Sequence, residues 1–221
     1  MKKINKKEDM IYIFETLKEF VIPFKDPLIE QLRDEFKDIS CFEILIATIL
    51  SLRSRDPVTF KVYSKLRNHA KNSQEILKIP LEELENIIKS IGFYHNKAKT
   101  IRFICQYLID NHNGEVPKTH EELLKIKGVG RKTANLVMTM CYEDDFICVD
   151  THVHRLTNRL FLKTKDATQT EFELMKIFPK KEWNFINLVL VKFGQNHCLI
   201  YNPKCKSCPV YDYCNFDKKK R

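Results

Sequence analysis

At 221 residues with a formal net charge of +9 (38 Lys+Arg against 29 Asp+Glu), the chain is long enough for one large core or two modest lobes, and its charge suits a polyanionic partner. On charge alone, a protein whose lysines only keep it dispersed is an equal alternative. No apolar run approaches the ~20 residues of a membrane span and no secretory leader opens the sequence, so an intracellular protein with no membrane partner is expected.

Residues 1–7 hold Lys2, Lys3, Lys6 and Lys7, a basic start. From Asp9 the apolar residues Ile11, Phe14, Leu17 and Val21 recur at helical spacing until Pro23 ends the pattern. Phe42 to Leu52 is apolar nearly all round and longer than a usual strand, which predicts a central buried helix. It runs into Arg53-Ser54-Arg55-Asp56-Pro57, where polarity switches abruptly, and Pro57 starts a further helix through Phe60, Val62, Tyr63 and Leu66.

Pro80 opens a short helix with Leu84, Ile87, Ile88 and Ile91 on its apolar stripe. A helix from about Lys97 to Asn111 follows, stopped by Asn113-Gly114. Thr119-x-x-Glu122 and Thr168-x-x-Glu171 read as capping boxes, and Trp183 to Phe193 as the last long helix. No stretch alternates in the manner of a strand, so the fold class is all-α.

Three constellations carry chemistry. The first is Leu124 to Ala134, where Gly128-Val129-Gly130 breaks one helix and Arg131-Lys132 starts the next, with Lys127 just before. Glycines in such a turn let a ligand approach the backbone, and the following helix's N-terminus favours an anion, so a phosphate is the natural guest of this helix-hairpin-helix arrangement. Residues 91–98 loosely echo it. Lys132 reads first as a lysine facing phosphate. Held beside a phosphodiester, its amine could instead reach a sugar carbon, although a free lysine is only about 0.04% neutral at pH 7 and must be desolvated or set beside a cation such as Arg131.

The second constellation is Val149-Asp150-Thr151-His152-Val153-His154-Arg155. Asp150 reads as an N-cap, a role compatible with stabilising a developing cation. His152 and His154 read as structural or close to phosphate. The third is Cys198-x6-Cys205-x2-Cys208-x5-Cys214. Four thiols in so short and polar a segment call for a metal, and unequal gaps in a tight run favour a cubane cluster over zinc, with disulfides third. Cys41, Cys105, Cys141 and Cys148 lie in apolar surroundings and read as reduced core residues.

From the buried helix at Phe42 to Cys214 these motifs resemble the endonuclease III family of DNA repair glycosylases, with KGVGRKTA, VDTHVHR, FGQNHC and the four-cysteine loop in the family's order. The resemblance implies a two-lobed protein. A helical barrel over 34–144 would carry the hairpin, and residues 1–33 with 145–221 would form a second lobe holding a 4Fe-4S cluster in the loop 198–214. It implies Lys132 as the Schiff-base lysine, Asp150 as the catalytic carboxylate, and Cys198, Cys205, Cys208 and Cys214 as cluster ligands. Gly128, Val129, Gly130, Arg131, Lys127, Arg53, Phe93 and His152 would contact DNA, with Phe93 as wedge and Arg53 near the orphaned base. The implied partner is double-stranded DNA with damaged pyrimidines or abasic sites, met by a monomer that excises the base and nicks by β-elimination. Family members often have Gln at the place of Arg53, Thr at Arg55 and Leu at Phe93. The alternatives are a monofunctional mismatch glycosylase, which needs no lysine, and a non-catalytic iron-sulfur DNA-binding protein.

Overall fold

The computed structural model describes residues 7–216, so Lys2, Lys3 and Lys6 of the basic start lie outside the described residues. Among those residues there is no strand. The helices are, in order, α1 (Lys7–Phe20), α2 (Leu28–Glu35), α3 (Cys41–Ser51), α4 (Asp56–Arg67), α5 (Ser73–Lys78), α6 (Leu81–Ile88), α7 (Tyr94–His112), α8 (His120–Lys125), α9 (Arg131–Tyr142), α10 (Thr151–Leu160), α11 (Ala167–Ile177) and α12 (Trp183–Asn196), with three short 3-10 turns near the C-terminal end. They divide into two compact units, Leu28–Asp144 and Met1–Pro27 with Asp145–Arg221.

The unit Leu28–Asp144 is built around α3. Nine of its eleven residues are buried, and α2, α4, α7 and α9 pack against it. One of the nine is a carboxylate. Glu43 Oε2 accepts from the Ser40 amide at 2.9 Å while the Ser40 hydroxyl accepts from the Glu43 amide at 3.3 Å, a complete capping box. Its other oxygen accepts from the Tyr63 hydroxyl at 2.8 Å and from Arg67 Nε at 2.6 Å. Arg67 also donates to Asp38 at 2.7 Å and lies over the Phe36 ring at 4.4 Å. Burial, then the charge of Glu43, pushes the Tyr63 phenol up, so it stays a donor. α4 is thereby held to α3 by a fully partnered buried charge.

The other unit packs α1, α10, α11 and α12 around Ile13, Phe14, Leu17, Leu156, Leu160 and Leu190. Lys192, buried on α12, reaches Asp26 at 2.8 Å, and Lys18 of α1 reaches Glu182 at 2.8 Å. Gly194 lets α12 lie close to α10, because a Cβ there would meet His152 Nδ1 at 2.5 Å.

Two helix starts differ from the sequence reading. α7 begins at Tyr94 rather than Lys97, because Phe93 takes φ 61° and its carbonyl already accepts from the Lys97 amide at 3.0 Å. α11 is capped by Asp166, which accepts from the Gln169 amide at 2.8 Å, rather than by Thr168. Gln169 Oε1 returns the bond to the Lys165 amide at 2.8 Å, so the cap lies two residues earlier. The helices α2 and α5, of 8 and 6 residues, are too short to show a periodic stripe.

Removing the Glu43 carboxylate leaves the buried Tyr63 hydroxyl without its acceptor and takes one of two carboxylates from Arg67. Glu43→Ala is expected to cost about 3–5 kcal/mol in urea denaturation, and a loss below about 1 kcal/mol would show that the cluster is not what joins α4 to α3.

Candidate functional site

The hairpin is made by α8, the Gly128-Val129-Gly130 turn and α9. Gly128 has φ 98°, and a Cβ there would meet Thr100 Cγ2 of α7 at 2.5 Å. Gly128 is therefore required by the fold. At Gly130 a Cβ would meet nothing within 4 Å, so the space over it is open. Between them the Val129 side chain is buried and its amide donates to the Ile126 carbonyl at 2.9 Å, which anchors the turn. His120 Nε2 of α8 and Asn135 Oδ1 of α9 meet at 2.7 Å in the interior. Gly130 is the N-cap of α9 and brings no capping side chain, so the positive end of the helix dipole carries no carboxylate of its own at that place. Arg131 and Lys132, half-buried, occupy the first two positions of that helix, and Lys127 is exposed before the turn.

In the same unit two further turns lie side by side. Arg53, just after α3, and Phe93, the N-cap of α7, both take left-handed backbone, with φ 54° and 61°. Such a conformation costs a non-glycine residue about 1–2 kcal/mol. The Arg53 guanidinium lies 5.7 Å from the centre of the Phe93 ring, and Phe93 is 60% exposed. A Cβ at Gly92 would stand 3.9 Å from the Arg53 carbonyl. The turns are thus brought together, with an aromatic ring and a cation both facing solvent.

Asp150 lies in the other unit, as N-cap of α10. Its Oδ1 accepts from the amides of His152 and Val153 at 2.8 and 2.9 Å. Both bonds end on one oxygen, which leaves Oδ2 outside the cap. The two amide donors fix the direction of the carboxylate. The His152 ring is held against Gly194, with Arg155 Nη2 3.1 Å from its Nδ1, and His154 meets the Thr170 hydroxyl at 2.7 Å.

Cys198, Cys205, Cys208 and Cys214 line one open cavity, with Leu160, Phe193 and His197 among its walls. Burial, then the neighbouring thiols of Cys214, Cys198 and Cys205, pushes the Cys208 thiol up to about 11. Two arginines of α10 brace the loop. Arg155 donates to the Cys198 carbonyl at 2.6 Å, and Arg159 to the Cys198 sulfur at 3.2 Å and the Leu199 carbonyl at 3.1 Å. The buried His197 ring stacks on Phe193, is held below the ordinary histidine range by burial and then by Lys204, and has its Nε2 enclosed without a protein partner. Among the described residues, three or more His, Cys, Asp or Glu side chains nowhere converge closely enough to hold a single ion.

The family model for HhH-GPD superfamily base excision DNA repair proteins matches residues 46–180. The endonuclease III of Thermotoga maritima is 40% identical over 185 residues, 83% of this chain and 87% of that one. The enzyme of Bacillus subtilis is 37% identical over 201 residues, 87% and 92% of the two chains. The chain belongs to the endonuclease III family. It is a base-excision repair DNA glycosylase. A solved non-covalent endonuclease III–DNA complex superposes on it with a TM-score of 0.88, at 37% identity and 96% coverage of each chain. A trapped endonuclease III–DNA covalent intermediate gives 0.83, at 36% identity over 96% and 97%.

Within this endonuclease III fold, the structure adds residues that motif reading passed over. Arg155 and Arg159 share a face of α10 at a spacing of four, a pattern visible in the sequence but without an evident target. Lys97 is the more consequential. It sits on the buried stripe of α7 with Ala98, Ile101 and Ile104, and its Nζ donates to the Leu50 carbonyl of α3 at 2.7 Å. Leu50 precedes the Arg53 turn by three residues and Lys97 follows Phe93 by four, so this bond ties the two turns together from below. A lysine in an apolar stripe was the signal.

Burial pulls Lys97 down to about 8 from the ordinary lysine value near 10.5. The unfolded chain therefore holds its proton to higher pH than the folded one, and stability should rise between about pH 8 and 10.5 through this group. Lys97→Met should lack that rise. Urea denaturation of both proteins at pH 7 and pH 10 checks it, and an identical pH response would show that Lys97 is not desolvated.

Proposed function

We propose that this chain is a bifunctional enzyme of double-stranded DNA, acting as an intracellular monomer on oxidised or ring-saturated pyrimidines and on abasic sites. The observation that carries the reading is the position of Lys132, half-buried on the first turn of α9 directly after a glycine with open space above it. A phosphodiester accepted over Gly130 by Lys127, Arg131 and the α9 dipole would bring a deoxyribose to the Lys132 amine. The target base must leave the stack to be reached, and Phe93 with Arg53 supplies a wedge and a hydrogen-bonding cation for the space it vacates. His152 is better suited to aligning the start of α10 than to touching DNA, given its packing on Gly194.

The chemistry follows from the side chains. Lys132 Nζ forms a bond to C1′ as the glycosidic bond breaks and the base leaves with its electron pair, which takes up a proton. Asp150 is given the role of stabilising the positive charge that develops on the sugar, and the proton of the attacking amine passes to a base. Opening of the sugar ring gives an imine to Lys132. Loss of a proton from C2′ then expels the 3′ phosphate and cuts the strand. A mismatch glycosylase that uses water would have no need of an amine at this place.

We also assign a 4Fe-4S cluster to the loop 198–214. Four thiols gather around one cavity, and their unequal gaps in a tight run suit a cubane with one thiolate per iron better than the paired knuckles of a zinc site. The enclosed Nε2 of His197, in the wall of the same cavity, is a polar atom that the protein itself leaves unmet. Bound there, the cluster would supply iron–thiolate bonds that hold the loop to α10 and α12.

Borohydride added during reaction with abasic or thymine-glycol DNA is expected to trap a covalent adduct that is lost in Lys132→Ala, and an adduct that survives would name a different nucleophile. Asp150→Asn keeps the N-cap and should leave thermal stability unchanged while lowering base release about 100-fold or more; equal loss of both would reduce Asp150 to a cap. For the loop, the purified protein should contain iron and sulfide in equal amounts, and Cys205→Ser should lower both. Stoichiometric zinc would overturn the assignment.

A further inference from the structure

Among the described residues two lysines are buried, and they are partnered differently. Lys192 meets a carboxylate, that of Asp26, at 2.8 Å. The Lys97 amine donates to a neutral acceptor, the Leu50 carbonyl, at 2.7 Å. An ammonium taken out of water is costly unless a counter-charge meets it, and an apolar side chain of similar length would fill the same stripe of α7 more cheaply. Packing alone therefore gives no reason for a lysine here.

The geometry supplies one. In a continuing helix the Leu50 carbonyl would accept from the Ser54 amide, but that amide donates to the Ser51 carbonyl at 3.0 Å and α3 ends. The last turn of α3 has no basic residue of its own. Lys97 supplies from α7 both a donor for the freed carbonyl and a cation at the negative end of the helix dipole. Its main chain reaches the second turn, where the Lys97 amide donates to the Phe93 carbonyl at 3.0 Å. One residue thus grips the end of α3, from which Arg53 departs, and the start of α7, where Phe93 stands. Both turns hold a non-glycine residue at positive φ, and such backbone persists only where its surroundings over-determine it. The ring and the guanidinium that they present are 5.7 Å apart and exposed.

We infer that Lys97 is a positioning residue for the Arg53–Phe93 pair, holding the ring and the guanidinium in the arrangement that enters the duplex when the target base leaves it. This role rests on Phe93 acting as the wedge. Lys97 touches no DNA itself, since its amine is buried beneath the two turns. Without its bond to Leu50 the two left-handed residues are free to return to ordinary backbone, and the ring loses its fixed direction. The phosphate contacts of Lys127, Arg131 and the start of α9 lie on other elements, so they should outlast the loss of the bond while insertion does not.

The test uses a duplex in which 2-aminopurine stands opposite an uncleavable tetrahydrofuran abasic analogue, so that emission rises when the orphaned base is unstacked. The full-length protein, cofactor in place, is added to saturation. The wild-type protein is expected to raise the emission, and Phe93→Ala to lose most of that rise. Lys97→Met should lose the rise as Phe93→Ala does, with binding to undamaged duplex unchanged. Lys97→Gln, whose shorter side chain stops short of Leu50, should do the same, so the comparison does not hang on one variant folding. Lys97→Arg, which keeps a cation and donors, should recover part of the rise. A full rise in Lys97→Met and Lys97→Gln beside its loss in Phe93→Ala would keep the wedge and overturn the role of Lys97. A full rise in Phe93→Ala would overturn the wedge and this role with it. Parallel loss of the rise and of binding to undamaged duplex in the Lys97 variants would make Lys97 a residue of the fold alone, and overturn the proposal as well.

Discussion

A helix with no solvent face must be enclosed on every side, and α3 imposes that requirement on the unit Leu28–Asp144. Its apolar residues Ile44, Leu45, Ile46, Ile49 and Leu50 are each at most 3% exposed, and burying such a side chain is worth roughly 1.5–3 kcal/mol. Satisfying it draws in α2, α4, α7 and α9. The consequence is positional. α9, with Arg131 and Lys132, is set against the flank of α3, Cys41 is placed at one end, and Arg53 at the other. Polar groups then close the ends: Ser40 with Glu43 at the start, and the Lys97 bond to Leu50 at the finish. A buried charge is a poor way to gain stability, but its partner and direction are uniquely defined, and here both fix a turn.

The two helix starts that bear the candidate chemistry solve opposite problems. α10 begins at Asp150, whose carboxylate meets its own helix's amides and is held there. α9 begins at Gly130, which has no side chain to offer, and open space lies over it. A self-capped start presents a fixed negative charge, and an uncapped one presents a positive dipole end. On the function proposed above, the first suits developing positive charge and the second suits an anion. Adding a carboxylate cap before Arg131 would satisfy the helix and repel an anion there.

Much of this was legible in the sequence, for physical reasons that differ from place to place. The α3 segment announces itself because a run of that length, apolar nearly all round, must be enclosed, and α9 runs from Arg131 to Tyr142 as its stripe and the preceding glycines require. α2 and α5 escaped because one or two turns cannot display a period. The start of α7 escaped for another reason: a left-handed Phe93 is a tertiary outcome, set by the neighbouring Arg53 turn and the Lys97 bond, and local preference disfavours it. The cysteine loop was readable from spacing, whereas its bracing by Arg155 and Arg159 depends on which helix passes beneath it.

The cysteines show where sequence reasoning stops. Cys105 and Cys41 both sit among apolar neighbours in the chain, and nothing in the flanking residues separates them. What does is the place each takes along its helix. α7 turns Cys105 into the interior, where a thiolate has no water to solvate it, and desolvation alone settles its chemistry. Cys41 starts its helix instead of lying within it, so it keeps some access to water and stands at the positive end of the helix dipole. Access of water to a thiol in this protein is therefore set by where along its helix the residue falls, at the start or within, which flanking sequence does not show.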